Sequence, residues 1–128
     1  MIEPSIRTIS LTDGASVKVH EDEWQVAAEA SGDSFGGHLD HLQHRRARER
    51  GELEQYRLIV RLHADGRAVV YGILKPREGF SFTEPRRGGE SLDPGADLIS
   101  AIRRVGEYCE LPDRVVSACI ATLAAAEL

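Results

Sequence analysis

The chain has 128 residues, a formal charge of −5 and a pI near 5.5. That length suits one domain, 1–128, whose core needs no disulfide or metal staple, and the acidic balance argues against a general nucleic-acid binder. No apolar run approaches the roughly 20 residues of a membrane span, and Met1-Ile2-Glu3-Pro4 lacks the basic start and apolar stretch of a signal peptide, so a soluble cytoplasmic protein with no membrane partner is expected.

Residues 5–75 read as the sheet-forming region. The stretch 5–20 carries a hairpin signal around Asp13-Gly14. A two-residue loop would set Ile9 against Lys18, whereas a five-residue loop sets Ile9 against Val19 and Leu11 against Val17; the second register keeps apolar with apolar and is preferred. Glu21-Asp22-Glu23 follows as an acidic cluster, and then Trp24, the one tryptophan. Residues 24–30 read as a short strand with Trp24, Val26 and Ala28 on one face, or as a short helix; Ser31-Gly32-Asp33 closes it as a turn would. Trp24 reads as a core anchor.

Residues 34–52 form a polar insertion rich in His and Arg, read as a helix or as a further strand. His38, His41 and His44 recur every three residues, which on a helix brings imidazoles near one face. The spacing lacks the HExxH arrangement of a zinc helix, so no metal site and no cofactor are assigned. Arg45, Arg46, Arg48 and Arg50 follow. They could hold phosphates, although Glu49, Glu52 and Glu54 stand ready to pair with them locally. Fourteen of the sixteen cations are arginines, Lys18 and Lys75 being the exceptions.

Tyr56 to Lys75 is the strongest signal in the chain. Two runs of β-branched and aromatic residues flank Asp65-Gly66, the dipeptide of a type I′ turn. That turn sets Leu62 against Val69, Val60 against Tyr71 and Leu58 against Ile73 on one apolar face. Arg57, Arg61 and His63 then lie on the other face, read as solvated or as a basic contact surface. Residues 76–95 read as a long loop with a short strand at Phe80-Ser81-Phe82; Arg86 and Arg87 precede Gly88-Gly89 there, but neither a P-loop nor a dinucleotide fingerprint is present.

Asp93-Pro94 reads as N-cap and first turn of a helix, with Leu98, Ile102, Val105 and Cys109 as its apolar stripe. Leu111-Pro112-Asp113 breaks it, and Val116, Cys119, Ile120 and Leu123 form the stripe of a second helix. Both cysteines therefore read as buried thiols. The second helix carries Arg114 as its one cation, too few for a DNA-recognition helix, so 94–126 is read as a packed αα-hairpin. The fold class expected is α+β, an antiparallel sheet of about four or five strands with this hairpin on one face.

No nucleophile, base and orienting group stand at a telling spacing, and an enzyme is not expected. Trp24, the run Arg61 to Arg67 with Val70-Tyr71-Gly72, and Arg87-Gly88-Gly89-Glu90 together resemble small proteins carried by phages, plasmids and integrative elements of proteobacteria, mostly of unassigned function. In general character the chain is also similar to anti-CRISPR proteins. The resemblance implies a non-enzymatic inhibitor that binds a host effector protein or ribonucleoprotein of nucleic-acid defence. Candidate contact residues are Glu21, Asp22, Glu23, Arg45, Arg46, Arg57, Arg61, Arg86 and Arg87. Two alternatives stand beside it: an accessory nucleic-acid binder using the arginines of residues 45–61, and a small enzyme acting on a phosphate-bearing substrate near Arg86 and Arg87. A homodimer is compatible with each.

Overall fold

The computed structural model describes residues 6–33, 41–50, 53–76 and 85–126. Six strands and three helices follow one another as β1 (Ile6–Ser10), β2 (Ser16–His20), β3 (Trp24–Asp33), α1 (His41–Glu49), β4 (Gln55–His63), β5 (Ala68–Lys75), β6 (Arg86–Leu92), α2 (Leu98–Tyr108) and α3 (Asp113–Ala126). β3, β4, β5 and β6 form an antiparallel meander in that order, and β1 pairs with β2 in a separate two-stranded sheet. The expected α+β class holds, with the two C-terminal helices packed on one face of the sheet. No described helix is long and apolar enough to cross a membrane.

Both predicted hairpins form, and both adopt a register different from the expected one. In each the turn amide of glycine donates to a carbonyl three residues back, Gly14 to Leu11 and Gly66 to His63, while Leu11 and His63 donate across the loop to Ala15 and Arg67. Only the glycines take positive φ, +91° and +95°; neither Asp13 nor Asp65 does. A type I′ turn needs two such residues, so the loops are three-residue type I turns closed by a glycine bulge. The aspartates brace the turns: Asp13 Oδ1 accepts from Ala15 N and Asp65 Oδ1 from Arg67 N, both at 2.9 Å. Ile9 consequently faces Val17, and Val60 faces Val70.

This shift decides the two faces of β5. Val70, Gly72 and Leu74 join Tyr56, Leu58 and Val60 beneath the helices, and Val69, Tyr71 and Ile73 turn to the outer face. The outer face is not half wet along its length, as expected, because the β1–β2 hairpin covers part of it. Ile9, Val19, Trp24 and Val69 form a second small core there. Leu58-Ile59-Val60 and Ala68-Val69-Val70 are each buried throughout, which is what strands covered on both sides require. Each fully buried Leu, Ile or Val adds about 1.5–3 kcal/mol of transfer free energy.

β3 runs to Asp33 rather than closing at Ser31, and it changes faces partway. Register slips between Val26 and Ala28, leaving Ala27 as a bulge. Trp24 and Val26 therefore oppose His63 and Arg61 on the outer face, while Ala28 and Ala30 lie under the helices beside Val60 and Leu58. A regular strand would have kept Trp24 and Ala28 together.

The segment read as loop contains β6. Its glycines fit where side chains cannot: a Cβ at Gly88 would stand 2.6 Å from Tyr108, and one at Gly89 would stand 2.9 Å from the Val70 carbonyl. Phe80-Ser81-Phe82 lies outside the described residues. Asp93-Pro94 does not open α2. Asp93 to Ala96 is a turn with Pro94 second and Gly95 third at φ +85°, as a type II turn demands. The N-cap is Asp97, which accepts from Ser100 N at 3.1 Å and Ser100 Oγ at 2.7 Å; these bonds hold its carboxyl below the ordinary carboxylate range.

α2 buries Ala101, Ile102, Val105 and Gly106, and α3 buries Val115, Cys119 and Leu123. The turn between them satisfies the last carbonyls of α2 by a Schellman pair, Leu111 N to Gly106 O and Glu110 N to Glu107 O, with Glu110 at φ 58° in the place usually held by glycine. The helices meet where Gly106 faces Val116, and a Cβ there would sit 2.5 Å from Val116 Cγ2. Gly106→Ala should therefore overpack the crossing and cost about 1–3 kcal/mol in urea unfolding; an unchanged midpoint would contradict this packing. Cys109 and Cys119 are buried, and burial pushes both thiols up to about 11. Raised values mean that the folded state resists thiolate formation. Stability should be undiminished below the ordinary thiol value near 9 and fall between there and about pH 11. Cys109→Ser/Cys119→Ser should lose that alkaline slope, measured as unfolding midpoint against pH.

Candidate functional site

The outer face of the four-stranded sheet carries two charged clusters, one toward each end of β4. At one end the turn of residues 21–23 carries Glu21, Asp22 and Glu23 over the Asp65 turn. Arg57 lies six residues from His63 along β4, about 20 Å at the usual rise, in a row across the sheet with Ser31, Ile73 and Arg87.

At the acidic end most carboxylates are already engaged. Glu21 Oε1 accepts from Arg7 Nε and Nη2 at 3.2 and 3.1 Å, and Glu23 Oε2 lies 3.8 Å from His63 Nε2. Asp65 binds the Arg67 side chain at 2.6 Å; the Arg67 backbone N–H, foremost, and that side chain hold the Asp65 carboxyl below its ordinary value. Trp24 packs between His63, ring centroids 4.9 Å apart, and the Arg67 guanidinium, 5.2 Å from the indole. Its expected role as an anchor is met. Asp22 is the exposed member of the cluster with no partner among the described residues.

Arg61 is not the solvated residue that alternation suggested. It is 7% exposed and the one charged side chain buried among the described residues. Nε donates to Tyr71 Oη at 2.9 Å, Nη1 donates to the Trp24 carbonyl at 3.0 Å, and Nη2 lies 3.8 Å from Glu21 Oε1. One guanidinium thus joins β3, β4, β5 and the turn after β2. Its aliphatic stem and three polar partners explain its tolerance of burial.

The basic end is open. A groove of about 250 Å³ lies between β1 and the sheet, lined by Arg7, Thr8, Ile9 and Ser10 on one side, Ile59, Tyr71 and Ile73 on the floor, and Arg57 with Arg87 at the rim. Arg57 pairs with Glu29 at 2.8 Å, whereas Arg87 has no partner among the described residues. The groove ends where the first hairpin is pinned to the sheet: Thr12 N donates to Gly89 O at 2.9 Å, and Gly89 N donates to Thr12 Oγ1 at 3.1 Å.

The remaining candidates fall elsewhere. Arg86 and Arg87 are successive strand residues and take opposite faces; Arg86 donates to the Tyr108 carbonyl and pairs with Glu110, so the two do not form a joint cradle. Arg45 and Arg46 are exposed on α1, with Arg45 4.0 Å from Glu49. His38, and the side chains of His41 and His44, lie outside the described residues. Among the described residues no group of three His, Cys, Asp or Glu is placed to hold a metal. Arg7, Thr12 and Tyr71 belong to the site and escaped the sequence reading, because their roles depend on a contact between hairpins distant in the chain.

Chemically, the groove offers guanidiniums and a hydrophobic floor. Among the described residues its lining includes no carboxylate, imidazole or thiol. It suits capture of an anionic group with an apolar neighbour. The two arginines of β4 should separate cleanly on substitution: Arg61→Ala leaves the Trp24 carbonyl and Tyr71 hydroxyl without their donor and should cost about 3 kcal/mol, and Arg57→Ala breaks an exposed pair and should cost under about 1 kcal/mol. Urea unfolding followed by Trp24 fluorescence measures both; equal costs would contradict the burial of Arg61. Comparison with family models, with curated proteins and with solved structures finds no match for the chain.

Proposed function

We propose that this chain is a non-enzymatic protein-binding module that inhibits a nucleic-acid defence complex of the host, with the basic end of the outer sheet face as its contact surface. The observation that carries the choice of face is Arg87, an arginine without a partner among the described residues at the rim of an apolar-floored groove. Arginine and tyrosine beside aliphatic residues are the side chains that concentrate binding energy at interfaces. Glu21 is committed to Arg7 and Arg61, so the acidic cluster contributes through Asp22 and Glu23 and is the weaker face. The resemblance to anti-CRISPR proteins is what directs the reading to a defence effector.

A second reading has its own observation. Arg45 and Arg46 stand exposed on α1, an arrangement that suits phosphate contacts. It predicts salt-dependent affinity for bare DNA or RNA, lost in Arg45→Glu/Arg46→Glu.

The immobilised protein, offered a nuclease-treated host lysate, should retain a multi-subunit nucleic-acid effector, and its addition should lower target cleavage by that effector. Arg87→Glu should weaken retention at least tenfold, about 1.4 kcal/mol, with Asp22→Arg close to wild type. Retention of no protein, together with capture of nucleic acid alone from untreated lysate, would replace this reading with the second.

A further inference from the structure

The groove is bounded by strand edges as well as by side chains. Leu11 N donates toward β2, to Ala15 O, and Thr12 N donates away from it, to Gly89 O. Along an antiparallel strand this alternation continues, so Arg7 and Ile9 pair with Val19 and Val17 while the N–H and C=O groups of Thr8 and Ser10 point away from β2. No backbone partner for Thr8 or Ser10 exists on that side among the described residues. Four consecutive β1 residues, Arg7 to Ser10, line the groove. A strand that offered only one face would contribute every second residue, so the groove runs along the free edge of β1.

The opposite wall is also an edge. Gly89 turns both its N–H and its C=O outward to Thr12, and by the same alternation Arg87, two residues away, directs its backbone groups outward as well. Among the described residues β1 and β6 are joined at Thr12 and Gly89 and have no backbone partner on these sides beyond that point, leaving a notch between two edges. Such edges recruit an extended chain unless they are blocked.

Resting on the reading of this face as a protein contact, we propose that the notch receives an extended acidic segment of the partner, added as a strand to the free edge of β1. Backbone pairing to Thr8 and Ser10 supplies affinity, and side chains supply selection, as in other strand-addition complexes. Carboxylates of the segment meet Arg87 and Arg57, whose Cα atoms lie two strand spacings apart, about 10 Å. Its inward apolar side chains cover Ile73 and the exposed part of Tyr71. The occupant is acidic because Arg87 has no partner among the described residues, Arg57 and Arg7 stand beside it while paired with Glu29 and Glu21, and no carboxylate lines the notch among those residues.

The probe is a synthetic octapeptide alternating glutamate and valine, titrated into the ¹⁵N-labelled protein. Amide shifts should centre on Thr8, Ser10 and Arg87, and a lysine–valine counterpart should produce none. Arg87→Glu should raise the dissociation constant at least tenfold. Thr8→Pro removes an amide that makes no bond among the described residues, so folding should survive while peptide binding is lost; a proline is tolerated at such an edge. Shifts spread over other surfaces, equal binding of the lysine peptide, or unimpaired binding by a folded Thr8→Pro would overturn the inference. Sedimentation of the free protein as a dimer broken by Thr8→Pro would overturn it too, by making a second copy the occupant. Retention of the effector by folded Thr8→Pro refutes the notch and spares the proposed function; peptide binding at Thr8 and Ser10 by a protein that retains no effector does the reverse.

Discussion

A guanidinium enclosed between two sheets must find a partner for every donor it cannot leave in water, and Arg61 does so by drawing three elements to itself. Its bonds to the Trp24 carbonyl and Tyr71 hydroxyl tie β3 to β5 across β4. Its proximity to Glu21, which also binds Arg7, fixes the first hairpin over the sheet. Stripping one partner from such a charge costs more than the pair contributes in net stability. The position of the β1–β2 layer is therefore set by polar satisfaction as much as by the small core of Ile9, Val19, Trp24 and Val69.

That placement has a consequence for the rest of the face. The hairpin is held at its turn by Thr12 and Gly89 and at the start of β3 by Arg61, and it covers the Trp24 end of the sheet. Two strands cannot cover four. Among the described residues the uncovered remainder is the row of Arg57, Ile73 and Arg87, bounded by the edge of β1 that faces away from β2. The groove is thus a product of the mismatch in width between the layers, and its cationic rim follows from which residues of β4 and β6 point outward.

Much of this architecture was legible in the residues. Asp-Gly between β-rich runs located both hairpins, and the 3.6-residue stripes located both C-terminal helices. Register was not legible to one residue, because a two-residue I′ loop and a three-residue loop with a glycine bulge use the same dipeptide; the choice turned on the conformation of Asp13 and Asp65. A clue to the second covered face was present, since Leu58-Ile59-Val60 and Ala68-Val69-Val70 are apolar without alternation. The bulge at Ala27 and the strand at Gly88-Gly89 had no local signature. Both depend on neighbours from elsewhere in the chain, His63 and Arg61 for the first, Tyr108 and Tyr71 for the second. Arg61 read as solvated because its partners are a carbonyl, a hydroxyl and a carboxylate supplied by tertiary structure.

The central claim, that the hairpin layer is pinned in place and leaves the edge of β1 unpaired, is tested most directly by amide hydrogen exchange of the free protein. Arg7, Ile9, Leu11, Val17 and Val19 should be protected by the β1–β2 ladder, and Thr12 by its bond to Gly89, while Thr8 and Ser10 exchange at rates near those of an open chain. Equal protection of Thr8 and Ser10 with Arg7 and Ile9 would show that the edge is already occupied and would contradict the account.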